Sequence, residues 1–216
     1  TVNCHPKGIP HLVAPQKLWD ESRKVLGNVA EAYGEMAPVP EASISWQERI
    51  PAGGSLVEAI ETPGHAAHHV SYRAGDILFA GEVAGVYVPL DNGFYCRPAT
   101  PPPFHHGIFR DSIDRLAALD ARLVCLGHYG SRQDVAGMFE RARRQLDFWV
   151  DTARGHFGAG GDPFEEAVLA DLIAGDPDMA GWHSLPGDIQ SRERTFCFNS
   201  IRGIRMYLEK AEAGKL

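Results

Sequence analysis

LVEAIETPGHAAHHV, residues 56–70, changes character halfway along. It begins as a short apolar run of strand type and ends in a Pro-Gly turn followed by His65, His68 and His69. The same succession occurs twice more. DILFAGE (76–82) and RLVCLGH (122–128) are short apolar runs, each ending in glycine followed at once by a residue that binds metals or protons, Glu82 and His128. Without a Cβ, glycine lets a chain turn sharply and lets two strand ends close around a small object. If the three runs are neighbours in one sheet, two imidazoles and one carboxylate converge at its edge. Such a set suits zinc, and it is equally the two-His-one-carboxylate set of non-haem iron. Histidines 68 and 69 are adjacent, so in extended chain they face opposite ways and at most one turns toward that edge.

Composition narrows the function classes. The chain has 216 residues and is 44% hydrophobic, enough for a sizeable core. A formal charge of −7 argues against a surface that tracks phosphates, so small-molecule substrates are expected and nucleic acid is not. Cys4, Cys96, Cys125 and Cys197 are widely spaced with no CxxC, which reads as a reducing, cytoplasmic setting. No apolar run approaches the roughly 18 residues that span a bilayer, so no membrane partner is expected.

Strand patterning dominates before about residue 155 and helical patterning after it, dividing the chain into a main domain, 1–155, and a helical extension, 156–216. PQKLWDESRKVL before Gly27 reads as an amphipathic helix with Leu18, Trp19, Val25 and Leu26 on one side. ASISWQERI (42–50) reads as strand. Between Tyr87 and Phe104 five prolines, ending in TPPPF, predict a loop over the surface. Phe109, Ile113, Leu116 and Ala117 predict a helix, and Val135 to Ala153 carry an apolar stripe about six turns long. Asp162-Pro163 followed by Glu165 and Glu166 is a helix start, and Cys197, Ile201, Ile204 and Leu208 mark a last long helix. The order of strand, helix and strand gives layered α/β architecture.

TPGHAAHHVSYRAGDILFAGEVAGV (62–86), followed downstream by LVCLGHYGS (123–131), resembles the metallo-β-lactamase fold superfamily of metallohydrolases. HPKGIPHLVAPQKLWDES (5–22) and APVPE (37–41) resemble a branch of it with appended C-terminal helices. The resemblance implies an αββα sandwich with two zinc ions, or iron or manganese, at the mouth between the sheets. It further implies hydrolysis of an ester, thioester, amide or phosphoester by a metal-bound hydroxide. His65 corresponds to a ligand of the first metal, Glu82 to the bridging acid and His128 to a ligand of the second. His69 corresponds to a supporting histidine that does not touch the metals, and His11 falls near the site, where it either lines the pocket or is merely polar. Tyr129, beside His128, reads either as a hydroxyl donor to substrate or as a partly buried aromatic. The chain departs from the family pattern twice. The leading HxHxDH motif is absent from the sequence, so the sandwich is expected to be incomplete at its N-terminus. Glu82 stands where aspartate is usual, its extra methylene moving the carboxylate by about 1.5 Å.

Two other readings accompany this one: a mononuclear non-haem iron oxygenase of the same fold, and a catalytically inactive domain kept for binding or homo-oligomerisation through the helical tail. Elsewhere, His5 falls in a loop that either lines the pocket or is merely polar. His105 and His106 read as exposed residues at a helix start.

Overall fold

The computed structural model describes residues 1–128, 130–158 and 163–215. It divides into two compact units, Thr1–Ile50 and Pro51–Leu216. The first holds β1 (Val2–Asn3), α1 (Ile9–Val13), α2 (Gln16–Leu26), α3 (Asn28–Tyr33) and β2 (Ile44–Ser45), with β1 and β2 paired in parallel. Helix α2 is the one read from PQKLWDESRKVL; its Trp19 is buried, Leu18 is exposed, and the Val25 side chain lies outside the described residues. Inside this unit the His5 ring meets the edge of Trp46 at 5.4 Å and accepts from the Lys7 amide, so it packs and caps a turn.

The division falls within β3 (Arg49–Ala52). There follow β4 (Ser55–Glu61), β5 (Val70–Ala74), β6 (Ile77–Gly81), β7 (Val86–Leu90), β8 (Gly93–Arg97), α4 (His106–Ala117), β9 (Leu123–Leu126) and β10 (Ser131–Arg132). The last three α-helices are α5 (Val135–His156), α6 (Phe164–Gly175) and α7 (Gly187–Glu212). The six-stranded sheet runs β10-β9-β6-β5-β4-β3. Strands β4 and β6 are each antiparallel to β5, and β9 is parallel to β6. Hence β4, β6 and β9 all point the same way.

Alternation along β6 shows which sheet face meets the core. Leu78 and Ala80 are fully buried, whereas Phe79 between them is 44% exposed. Their face shares one apolar core with Phe109, Ile113 and Leu116 of α4 and with Phe139, Leu146 and Trp149 of α5. The core continues without a break into Leu169 and Leu172 of α6 and Ile201 and Ile204 of α7, so the stripes read from sequence are packing faces. Helix α6 begins with Glu165 and Glu166 in its first turn as expected, while the capping reading of Asp162 lies outside the described residues. Among the described residues, no helix is long and apolar enough to cross a membrane.

The reading of the proline-rich segment is overturned. The proline-rich segment from Tyr87 to Phe104 is not a surface loop but an antiparallel hairpin, β7 with β8, followed by a buried crossing. Tyr95, Cys96, Ala99, Thr100 and Phe104 are all below 5% exposed. Proline breaks a sheet interior, but a two-stranded ribbon has an outer edge on each strand, which lets Pro89 sit opposite Phe94. The usable signal was the Asp91-Asn92-Gly93 turn between runs of apolar and aromatic residues.

Arg97 at the end of β8 pairs with Glu193 of α7, and the two are 6% and 2% exposed. Breaking one half of a buried pair strands a charge, a loss of about 3–5 kcal/mol, whereas apolar replacement of both halves is often neutral. Glu193→Ala is therefore expected to lower unfolding stability by about 3–5 kcal/mol and the double variant Arg97→Met/Glu193→Leu to recover most of it. Urea titration checks this; a Glu193→Ala chain as stable as the parent contradicts it.

Candidate metal centre

Because β4, β6 and β9 share a direction, their C-terminal ends lie at one edge of the sheet, and there the structure brings His65, Glu82 and His128 together. His65 Nε2 lies 2.8 Å from Glu82 Oε2, and His128 Nε2 lies 3.0 Å from Glu82 Oε1. One carboxylate is thus shared between two imidazoles, one on each oxygen. The glycines play the part read from sequence. Gly127 donates its amide to the Gly81 carbonyl at 2.9 Å, and a Cβ on Gly127 would sit 3.1 Å from the Gly81 carbonyl carbon. Gly81 has φ +59°, and a Cβ there would meet the His69 ring at 2.5 Å.

Each member is held from behind. The other ring nitrogen of His65, Nδ1, donates to the carbonyl of Ala99 at 3.2 Å. His69 accepts the Glu82 amide on Nε2 at 3.3 Å, so its proton is on Nδ1, which faces Thr62 Oγ1 at 2.9 Å. Thr62 in turn meets Ser71 Oγ at 2.9 Å, and Ser71 donates to the Ala80 carbonyl at 3.1 Å. The chain of hydrogen bonds starts and finishes on the end of β6, on either side of Gly81. Thr62 and Ser71 are fully buried. Sequence reading passed over them, although Ser71 occupies a core-facing register of β5 opposite Ile60, where an unexplained hydroxyl is itself a signal.

Burial opposes charge on Glu82, but hydrogen bonds from His128 and His65 outweigh it and hold the carboxyl well below its usual range. Burial also works against protonation of His65, and the carboxylate beside it reverses the balance, raising that imidazole. His69 has no such partner: burial, with the neighbouring His65, depresses it to about 4.

The donor set fits a metal in kind and in pairing. Two ligands bound tetrahedrally at about 2.0–2.2 Å to one zinc stand about 3.3–3.6 Å apart, so each imidazole nitrogen and its carboxylate oxygen, hydrogen-bonded here at 2.8 and 3.0 Å, would part by about half an ångström to hold an ion. In number it is half a centre. The three residues offer two donors to each of two positions, and a catalytic zinc takes three from protein. Among the described residues no group of three or more His, Cys, Asp or Glu is arranged to hold a metal ion by itself.

Of the other sequence candidates, His11 is on α1 in the first unit and Tyr129 lies outside the described residues. His105 and His106 are not the simply exposed pair expected: His105 caps α4 and His106 meets Asp147 at 2.7 Å, a carboxylate shared with Arg110.

Two outcomes follow from this geometry. With a folded pKa of about 4 against about 6.5 when unfolded, His69 binds its proton more readily in the unfolded chain. Its contribution to stability is present above about pH 6.5 and lost as pH falls toward 4. Nitrogen NMR is expected to show a single neutral tautomer from pH 8 to 5; an imidazolium signal by pH 6 refutes it. Gly81→Ala is expected to cost about 1–2 kcal/mol from backbone conformation alone and to displace the His69 ring. An unfolding midpoint equal to the parent's is the contrary result.

Residues 4–128, more than half of the chain, match the family model described as the Metallo-beta-lactamase superfamily. A metallo-beta-lactamase fold-containing protein of Sulfurisphaera tokodaii is 33% identical over 119 residues, 53% of this chain and 44% of that protein. A hydroxyacylglutathione hydrolase of Acidiphilium cryptum is 34% identical over 106 residues, 49% of this chain and 40% of that protein. The chain therefore spans less than half the length of these two curated relatives. An archaeal superfamily protein of known structure, from Sulfolobus tokodaii, has a TM-score of 0.67 at 23% identity, covering 95% of this chain and 70% of that one. A family protein from Thermus thermophilus has a TM-score of 0.63 at 19% identity, covering 98% of this chain and 67% of that one. Such similarity at low identity speaks for the fold, and with the family model across β4, β6 and β9 it leads to one conclusion: the chain belongs to the metallo-beta-lactamase superfamily.

Proposed function

We propose that this chain carries the bridging half of a two-metal hydrolase centre, with Glu82 shared between two ions, His65 on one and His128 on the other. The observation that carries this is the Glu82 carboxylate, each of whose oxygens faces an imidazole nitrogen from a different strand end, at 2.8 and 3.0 Å. A mononuclear oxygenase centre would gather both imidazoles around one ion, and the division of the carboxylate favours two positions. The remaining donors are those of the HxHxDH motif, which this sequence does not contain.

Bound metal ions would supply an acidified water and a Lewis acid for the scissile bond. The residues of this chain provide the frame. Glu82, kept ionised by its two imidazole partners, offers a charged ligand at neutral pH. His69, neutral and tied to the Glu82 amide, fixes the carboxylate's backbone without adding positive charge. The Acidiphilium relative is named for hydroxyacylglutathione, so acyl transfer to water heads the substrate classes to assay, before amides and phosphoesters.

Metal counting tests the assignment. In the full-length protein, Glu82→Gln is expected to lose both equivalents of zinc, while His65→Ala and His128→Ala each lose one. Hydrolysis of acyl thioesters should fall at least a hundredfold in all three, on the order of what loss of an ion's charge stabilisation removes. Unchanged zinc content in the three variants would sink the assignment.

A further inference from the structure

The ring nitrogen of His65 that faces away from Glu82 donates to a carbonyl, and that carbonyl belongs to a segment with an unusual anchor. Ala99 is 3% exposed and lies in the crossing between β8 and α4. Its neighbours are fastened to the middle of α7, a hundred residues further along the chain. The Thr100 amide donates to Ser200 Oγ at 3.3 Å, and Thr100 Oγ1 donates to the Ser200 carbonyl at 3.3 Å. Ser200 Oγ donates to the Pro98 carbonyl at 3.4 Å, so one hydroxyl bridges both sides of Ala99. Thr100 is fully buried and Ser200 is 2% exposed. One turn further on, Gly203 faces the same segment. A Cβ there would stand 2.0 Å from the Thr100 carbonyl oxygen and 3.0 Å from the Pro101 carbonyl carbon.

A glycine in the middle of a long helix works against the helix, and a buried serine hydroxyl must be satisfied where it lies. Both positions are accounted for by how close this segment comes to the helix. What the segment presents in the other direction is the Ala99 carbonyl. A hydrogen bond on one ring nitrogen fixes the imidazole's tautomer and ring orientation and so decides which nitrogen is left to bind a metal.

We propose that α7 is a positioning element of the metal centre: Ser200 and Gly203 seat the Pro98–Thr100 segment so that the Ala99 carbonyl holds the His65 proton on Nδ1 and turns Nε2 toward Glu82. This rests on the reading of His65 as a ligand, and it extends the centre's support to a helix that carries none of the three ligands. Ser200 and Gly203 act through the segment.

The test uses Gly203→Ala and the milder Ser200→Ala, with Leu208→Ala, a buried α7 change away from the segment, as the packing control. Two readouts are taken on the full-length protein. Proton and nitrogen-15 NMR of the metal-free form below the His65 titration range, where both ring nitrogens carry protons, reports the hydrogen bond from Nδ1 to the Ala99 carbonyl, and Zn²⁺ titration against a competing chelator reports affinity. The parent and Leu208→Ala are expected to show a downfield, slowly exchanging Nδ1 proton. Gly203→Ala and Ser200→Ala are expected to lose that protected signal and to have Zn²⁺ affinity lowered about tenfold or more, the usual effect of losing a ligand's hydrogen-bond partner. If both α7 variants keep the parent Nδ1 signal and affinity while only their unfolding midpoints move, the proposal is overturned. The two readings fail separately. A lost Nδ1 signal with zinc content unchanged in His65→Ala supports the positioning role and removes the ligand reading. Zinc lost in His65→Ala with the Nδ1 signal kept in both α7 variants does the reverse.

Discussion

Three strands that point the same way must finish at the same edge, and the chemistry of this protein hangs on that constraint. Strands β4, β6 and β9 acquire their common direction from two antiparallel steps through β5 and one parallel step. Residues far apart in sequence, 65 and 128, then meet within hydrogen-bond distance of the single carboxylate of Glu82. Remove β5, or reverse one strand, and the same motifs end on opposite edges. The sheet's alternation gives the layout its stability, with one face of β6 fully buried against α4 and α5.

Within that edge the charge state of each group follows from its partners. Glu82 is ionised because two imidazoles compensate for burial. His69, as close by and as buried, is neutral because its hydrogen bonds run to a backbone amide and a hydroxyl and reach no carboxylate. His65 and His69, four residues apart, therefore have different charge states, and the difference comes mostly from partners outside their own stretch of sequence. Two of those partners are Glu82 and the Ala99 carbonyl; the Thr62 hydroxyl alone is local.

That difference also marks how far the sequence could be read. The three strand-Gly-His/Glu triplets were legible because each is a local pattern, whereas their meeting at one edge was expected only on the condition that the runs are neighbours in one sheet. Helices α4, α5 and α7 were legible from apolar spacing, since burial on one face imposes a 3.6-residue period. The hairpin of β7 and β8 was not, because five prolines outweighed a three-residue turn signal, and the ribbon's open edges tolerate what a sheet interior forbids. Least legible of all was the Ala99 carbonyl. A backbone oxygen has no letter in the sequence, and its position depends on a glycine and a serine more than a hundred residues away.

The seam between the Pro98–Thr100 segment and α7 also orders events in time. A ribosome adds about 5–20 residues per second, so the hundred residues between Thr100 and Ser200 take roughly 5–20 s to emerge. Through that interval the strands carrying His65 and Glu82 exist without the helix that seats the carbonyl behind His65. His65 and Glu82 are among the first residues of this unit to be synthesised, and the seam that backs His65 is among the last parts to form.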